Sequence, residues 1–369
     1  MASIGTWTRA WRHSAAAAGL LLAGAAQALT CGPSDGRICQ GTATQYAGGF
    51  NPGVGHGGFG GGSCTATKTP VVFVHGNADS AISFDAPPGN VTGYVTPARS
   101  VYAELKARGY NDCELFGVTY LSASEQAAPQ YNYHSSSRYA TLQYFIDRVK
   151  AYTGKAQVDI VAHSMGVSMA LATLQYNNSW ASVRRFVNIA GGIRGLYSCY
   201  YTGYANSYAP TCGSQNVWDS TLFGFFPEGW YYGAWITNSW TGTGSSNSLR
   251  NMPGGHSAIA FYTLAAGFKD QVACATASFW AGCDQTARFV TTSNVKSQLN
   301  IGAGSNATQA DYNWADGMPY NRGGGDSSNG VGHFRAKNNA GAIIQRMLLT
   351  TCTGTGCASE YTTGPVATY

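Results

Sequence analysis

Short apolar, β-prone runs alternate along the chain with stretches whose apolar residues recur every three or four positions. The runs fall at 69–74, 114–121, 158–163, 185–189, 259–266 and 288–291. Between them, 97–108, 136–153, 166–176 and 340–349 read as helices. In 136–153, Tyr139, Leu142, Phe145, Ile146 and Val149 share one helical face, and Gly154 supplies the stop. Pro97 suits a first helical turn and Gly109 a C-terminal stop. Strands that alternate with helices predict an α/β protein: a mostly parallel central sheet with helices on both faces. Neither an internal repeat nor a linker is visible, so 29–369 is expected to form one domain.

Two stretches break the rhythm. Residues 48–62 are dense in glycine but do not open a helix after a strand, so an irregular surface loop is expected rather than a phosphate cradle. Residues 191–255 carry fourteen or so aromatic rings with no clear helical or strand period. An insertion this long is usually functional or disordered, and this one is too aromatic for disorder. It reads as a cap that walls the site, many of its rings forming its own small core. Tyr231, Tyr232 and Trp235 in the cap, and Tyr133 in the polar loop before residue 136, are candidates for contact with an apolar substrate.

Composition narrows the setting. Residues 1–28 have two early arginines, Arg9 and Arg12, then a short apolar run and Ala26-Gln27-Ala28, the pattern of a secretory signal cleaved after Ala28. The apolar run is too short to span a bilayer. Its removal lowers the formal charge from +5 to +3, because both arginines leave and no acid does. Charged residues are 11% of the chain, against about 25% in typical globular domains. No basic run points to nucleic acid, and no membrane insertion is expected. Ten cysteines fit an extracellular, oxidising compartment, and the absence of any C-x-x-C pair argues against common zinc frameworks. Close spacing favours Cys31 with Cys39, Cys199 with Cys212, Cys274 with Cys283 and Cys352 with Cys357, leaving Cys64 with Cys113. Spacing alone leaves the connectivity open. No metal and no cofactor are expected, and the chain is taken to act as a monomer.

The candidate chemistry gathers where apolar runs end. Ala162, Ser164 and Gly166 form A-x-S-x-G between a strand and a helix. A nucleophile on so sharp a turn needs small residues two before and two after it. The turn exposes the hydroxyl and leaves the next backbone N–H, that of Met165, to stabilise an oxyanion. His75-Gly76-Asn77 follows the first long β run, where α/β-hydrolases carry a second oxyanion donor, here the N–H of Asn77. In that fold the acid and then the histidine follow the serine in the chain. Asp270 stands after a late strand, and His333 is the one histidine beyond it. Asp284, Asp311, Asp316 and Asp326 are rival acids, and His256 is the rival base. His163 is expected to pack or to touch substrate.

Ala162-His163-Ser164-Met165-Gly166 resembles the nucleophile turn of small bacterial lipases. The secreted part of the chain is similar, over nearly its whole length, to the single-domain extracellular poly(3-hydroxybutyrate) depolymerases that attack native, amorphous polymer. The matching stretches include Val71 to Asn77, the serine turn, and Val331-Gly332-His333-Phe334. The resemblance implies an α/β-hydrolase fold, a Ser164–His333–Asp270 triad, oxyanion donors at Asn77 and Met165, and a hydrophobic polyester surface as partner. It also implies amorphous rather than crystalline polymer, since no separate substrate-binding domain is visible. A secreted triacylglycerol lipase or carboxylesterase is the alternative enzyme. A non-catalytic, aromatic-rich binding protein is the alternative outside enzymes, and the ordered serine, acid and histidine argue against it.

Overall fold

A computed structural model describes residues 29–32, 38–202, 204–274, 282–304, 326 and 329–369. The expected signal at 1–28 lies outside them. The strands are β1 (Thr44–Tyr46), β2 (Gly58–Gly60), β3 (Val71–Val74), β4 (Leu115–Val118), β5 (Val158–His163), β6 (Val183–Ile189), β7 (Gly229–Tyr231), β8 (Ala234–Ile236), β9 (Ala260–Ala265), β10 (Val295–Asn300) and β11 (Ala367–Thr368). The helices are α1 (Val101–Ala107), α2 (Ala123–Ala127), α3 (Ser136–Thr153), α4 (Met165–Tyr176), α5 (Cys199–Thr202), α6 (Met252–Gly255), α7 (Arg335–Asn338) and α8 (Gly341–Leu349). Nine strands form one sheet in the order β1-β2-β4-β3-β5-β6-β9-β10-β11. From β4 to β10 every neighbouring pair is parallel, while β2 on β4 and β11 on β10 are antiparallel. This is the expected α/β-hydrolase fold.

The sheet is covered on both faces, which is why β3 and β5 read as continuous apolar runs rather than alternating ones. Val72 and Val74 of β3, with Val158, Ile160 and Ala162 of β5, join Leu142, Phe145 and Val149 of α3 and Val167 and Leu171 of α4. Val71, Phe73 and Val161 point to the other face and meet Val101 and Leu105 of α1 and Ile343, Ile344 and Met347 of α8. Truncating a fully buried residue such as Leu171 to Ala should cost about 2–5 kcal/mol. Because β3, β5 and β9 run parallel, their C-terminal ends share one edge of the sheet. Each is followed there by a candidate residue: Asn77, Ser164 and Asp270.

Three segments differ from the sequence reading. The glycine-dense stretch is not wholly a surface loop: β2 lies inside it, buried, paired with β1 and β4. Its glycines permit this close approach, since a Cβ on Gly58 would sit 2.1 Å from the carbonyl oxygen of Gly117, at a φ of +139°. Residues 288–291 are not a strand; the sixth parallel strand is β10, which begins at Val295. Lys296, Ser297 and Gln298 make β10 look polar, yet the Gln298 side chain is tied down, accepting the N–H of Phe289 at 2.8 Å. In the insertion, Trp230 to Trp235 do follow a strand period, as the short hairpin β7–β8. Its two-residue turn, Tyr232-Gly233, has φ of 46° and 84°, the signature of a tight type I′ turn.

All ten cysteines are paired, as Cys31–Cys39, Cys64–Cys113, Cys199–Cys212, Cys274–Cys283 and Cys352–Cys357. Among the described residues no helix is long and apolar enough to cross a membrane.

Candidate active site

Ser164 sits between β5 and α4 with φ 55° and ψ −127°, a conformation that side-chain-bearing residues rarely adopt. Such backbone strain costs about 1–3 kcal/mol and persists because the surroundings dictate it. The Ser164 N–H donates to the carbonyl of Ile189 in β6 at 2.9 Å. The demand for a small residue two places on is steric: a Cβ on Gly166 would lie 2.3 Å from the His75 oxygen and 2.5 Å from that of Val74. The serine turn and the His75–Asn77 turn are thus pressed together. A Cβ on Gly76 would come within 2.8 Å of the Ser164 Cβ.

The structure brings Ser164, His333 and Asp270 into one chain of hydrogen bonds. Ser164 Oγ lies 2.9 Å from His333 Nε2, and His333 Nδ1 lies 3.0 and 2.9 Å from the two carboxylate oxygens of Asp270. Nδ1 therefore donates to the carboxylate, which leaves Nε2 with a lone pair facing the serine hydroxyl. Asp270 is held by its own loop: Oδ1 accepts the N–H groups of Val272 and Ala273 at 3.0 and 2.8 Å. His333 and Asp270 are buried while Ser164 is partly open, so a substrate reaches the hydroxyl before the base. The Cys274–Cys283 bridge closes the segment just after Asp270.

The two candidate oxyanion donors flank the serine. Met165 is the first residue of α4, where a backbone N–H has no partner within the helix. The Asn77 side chain is committed to the scaffold. Its Nδ2 donates to the Pro129 carbonyl at 2.9 Å, and its Oδ1 accepts from the Ala78 N–H at 3.1 Å and Asn132 Nδ2 at 2.6 Å. Asn77 can offer the site only its backbone N–H. His75 beneath it is neutral: burial holds its pKa down at about 3, against a hydrogen bond to Gly76 that raises it. Its Nε2 accepts the Tyr120 N–H at 3.1 Å and its ring stacks on Tyr120.

The rival residues lie elsewhere. His256 precedes β9, at the opposite end of the sheet from Ser164, and stacks on Trp180 at 3.8 Å. His163 is fully buried, which leaves packing rather than substrate contact; its Nε2–H donates to the His333 carbonyl at 3.1 Å. Burial first, then the neighbouring His333, holds His163 well below the ordinary histidine pKa. Asp284 pairs with Gln285, and Asp326 binds backbone rather than imidazole. Asp311 and Asp316 lie outside the described residues.

The candidate substrate aromatics fall in different settings. Tyr232 is 93% exposed and Trp235 54%, while Tyr231 is half-buried, stacked on Tyr200 and edge-on to Phe226. Trp230, which sequence reasoning passed over, is 69% exposed and edge-on to Trp235 across the hairpin. Its signal was the alternation within β7, too short at three residues to stand out. Tyr133 lines a separate cleft of about 380 Å³ with Tyr204 and Leu222, under the Arg138 guanidinium. The insertion is anchored near the nucleophile helix by His134, a second residue missed from sequence. His134 stacks on Phe223 at 4.0 Å, and its Nε2 lies 2.7 Å from Ser168 Oγ in α4.

Residues 68–223 match the family described as Lipase (class 2), a span that holds the His75–Asn77 turn and Ser164. No curated protein matches the chain. Among solved structures, the chain is similar to the propeptide form of the Bacillus licheniformis lipase BlEst2 at 17% identity. That likeness covers 79% of this chain and 53% of the other, with a TM-score of 0.42. The mature form gives 15% identity, 77% and 93% coverage and a TM-score of 0.38. Aspergillus fumigatus lipase B gives 14% identity, 80% and 56% coverage and a TM-score of 0.42. The chain thus spans only about half the length of the first and last of these. The sheet topology gives the chain an α/β-hydrolase fold, within which residues 68–223 are similar to class 2 lipases.

Proposed function

We propose that this protein is a secreted serine esterase that cleaves amorphous poly(3-hydroxybutyrate) or a related short-chain polyester. The observation that carries the esterase reading is the Ser164–His333–Asp270 chain of hydrogen bonds. Ser164 Oγ attacks the ester carbonyl carbon while its proton passes to His333 Nε2. Asp270 stabilises the imidazolium that results. The negative oxygen of the tetrahedral intermediate accepts the N–H groups of Met165 and Asn77. Collapse breaks the ester C–O bond, and the alcohol leaves with the proton from Nε2. Water, deprotonated by the same nitrogen, then attacks the acyl-serine and releases the acid.

The polymer reading rests on the likeness of the whole secreted chain to poly(3-hydroxybutyrate) depolymerases. The exposed rings of the insertion support it, because a polymer must be held against the protein surface. Tyr208, Trp218, Trp230, Tyr232 and Trp235 are outward rings, and Tyr133 and Tyr231 add partly buried ones. The class 2 lipase match favours triacylglycerol as the second reading. Parallel assays on amorphous poly(3-hydroxybutyrate) granules and on triolein separate the two. Granules that clear while triolein stays intact are the expected result; triolein cleavage with intact granules would overturn the polymer reading. The five disulfides support passage into an oxidising compartment after loss of residues 1–28.

A further inference from the structure

The loop that carries His333 is gripped by two side chains that the mechanism above does not use. Asp326 is buried, and all four of its described contacts serve this loop or its neighbour. Oδ1 accepts the backbone N–H of Gly332 at 2.9 Å and of Arg335 at 3.1 Å. Oδ2 accepts the N–H of Phe334 at 2.7 Å and Nε2–H of Gln271 at 2.6 Å. Gln271, fully buried, completes the row, its Oε1 accepting the N–H of His333 itself at 3.0 Å. Four consecutive backbone N–H groups, 332 to 335, therefore end on one carboxylate–amide pair.

Gln271 is the chain neighbour of Asp270. One dipeptide thus holds His333 at two points: Asp270 takes the ring through Nδ1, and Gln271 takes the backbone N–H. His163 takes the His333 carbonyl from the other side. The fit is close enough to exclude a side chain at residue 332, where a Cβ would lie 2.3 Å from Gln271 Oε1. Ordinary satisfaction of buried N–H groups does not require that the acceptor be the residue next to the acid.

We propose that Gln271 and Asp326 are positioning residues that set the register between the Asp270 carboxylate and the His333 imidazole. The inference rests on reading His333 as the base. Its physical content is that rigid placement of Nε2 against Ser164 Oγ, rather than the chemical identity of the base alone, sets turnover. A misplacement of about 1 Å in such a site can cost on the order of 10²-fold in rate.

The test uses the full mature protein with a soluble short ester. Gln271→Ala should lower kcat by about 10- to 100-fold with little change in KM, because orientation rather than binding is lost. Gln271→Glu keeps the acceptor for His333 N–H but sets a second carboxyl against Asp326. Among the described residues, His333, Asp270, Lys269, Arg335 and Lys337 are the other titratable or charged residues on the segments packed around it. Two adjacent carboxyls share a proton, so this variant should lose rate relative to the wild type as pH rises and that shared proton leaves, a falling limb that the wild type lacks. Activities are expressed per active site titrated, with thermal unfolding run alongside. A wild-type kcat per titrated site in Gln271→Ala, or a wild-type pH profile in Gln271→Glu, would overturn the inference. Should Gln271→Ala not fold, the pH profile of Gln271→Glu decides. His333→Ala is measured in parallel: if it stays active, the reading of His333 as base fails; if it is dead while the Gln271 variants run like wild type, only the positioning role fails.

Discussion

Each residue of the proposed machinery stands where the backbone is forced. Ser164 keeps a positive φ because Gly166 and Gly76 let two turns press together around it. Removing Ser164 or His333 by substitution to Ala should lower turnover by up to about 10⁶, because members of such a unit act together. His256→Ala, a residue stacked on Trp180 at the far end of the sheet, should be mild. Steady-state esterase assays on folded variants check this, and near wild-type rates in Ser164→Ala contradict it. Only a neutral imidazole accepts the serine proton, so kcat/KM should rise from acid toward neutral pH. Burial holds His75 and His134 down at about 3, so neither contributes to that rise. A kcat/KM that peaks near pH 4 would contradict a histidine base. Ser164, Asp270 and the Asn77 turn were legible as candidates because the proposed chemistry calls for specific residue types after strands, and His333 because it is the one histidine beyond Asp270 in the chain. Gln271 was not, since an amide that holds backbone leaves no motif, and Asp326 could be read only as a rival acid.

Among the elements, legibility followed length and burial. The helix α3 matches its expected bounds at both ends, its five apolar positions defining one face. β10 was missed and 288–291 misread, because polar side chains inside the fold mimic a loop and apolar loop residues mimic a strand. The segment after the Asn77 turn hides a buried acid and a buried lysine, bridged by Ser83, that no pattern announces. Asp79 accepts from Ser83 Oγ at 2.7 Å and from the N–H groups of Cys39 and Ser80, and Lys337 Nζ donates to the Ser83 carbonyl and hydroxyl. Burial pushes Asp79 from 3.8 up to about 6, against the nearby Lys337 charge. Burial likewise brings Lys337 down to about 8. A carboxyl whose folded pKa is raised favours the folded state while protonated, and that contribution is lost as pH climbs from 3.8 to about 6. The melting temperature of the wild type should therefore fall relative to Asp79→Asn across that window; a constant difference contradicts the assignment. In the hairpin, Trp230→Ala and Trp235→Ala should weaken adsorption to polymer granules while leaving a soluble short ester nearly unaffected. Each ring could contribute roughly 1.5–3 kcal/mol on burial. Parallel loss of both activities in a folded variant would place these rings in the pocket rather than on a binding surface.

At the scale of the whole molecule, the parallel sheet explains why residues far apart in sequence converge, for β3, β5 and β9 deliver Asn77, Ser164 and Asp270 to one edge. The alternation of strands and helices made this architecture legible, and close cysteine spacing anticipated the pairs seen. Cys31–Cys39 carries the fold's N-terminal segment onto the oxyanion side, where Gln40 Nε2 donates to the Ala78 carbonyl at 3.2 Å. By chain entropy, Cys64–Cys113, with a separation of 49 residues, contributes the most of the five, about 4 kcal/mol. Two things were not legible: how the 191–255 insertion divides into core and surface, and the glycine strand β2, since both depend on contacts between distant segments. The central claim is that Ser164, activated by His333, is the nucleophile of an esterase. The most direct measurement is reaction of the mature protein with an organophosphate ester, with the adduct located by peptide mass spectrometry. One adduct per chain on Ser164, forming in step with loss of esterase activity and much more slowly in His333→Ala, is the predicted result. Loss of activity with Ser164 unmodified, or full activity with Ser164 blocked, would contradict it.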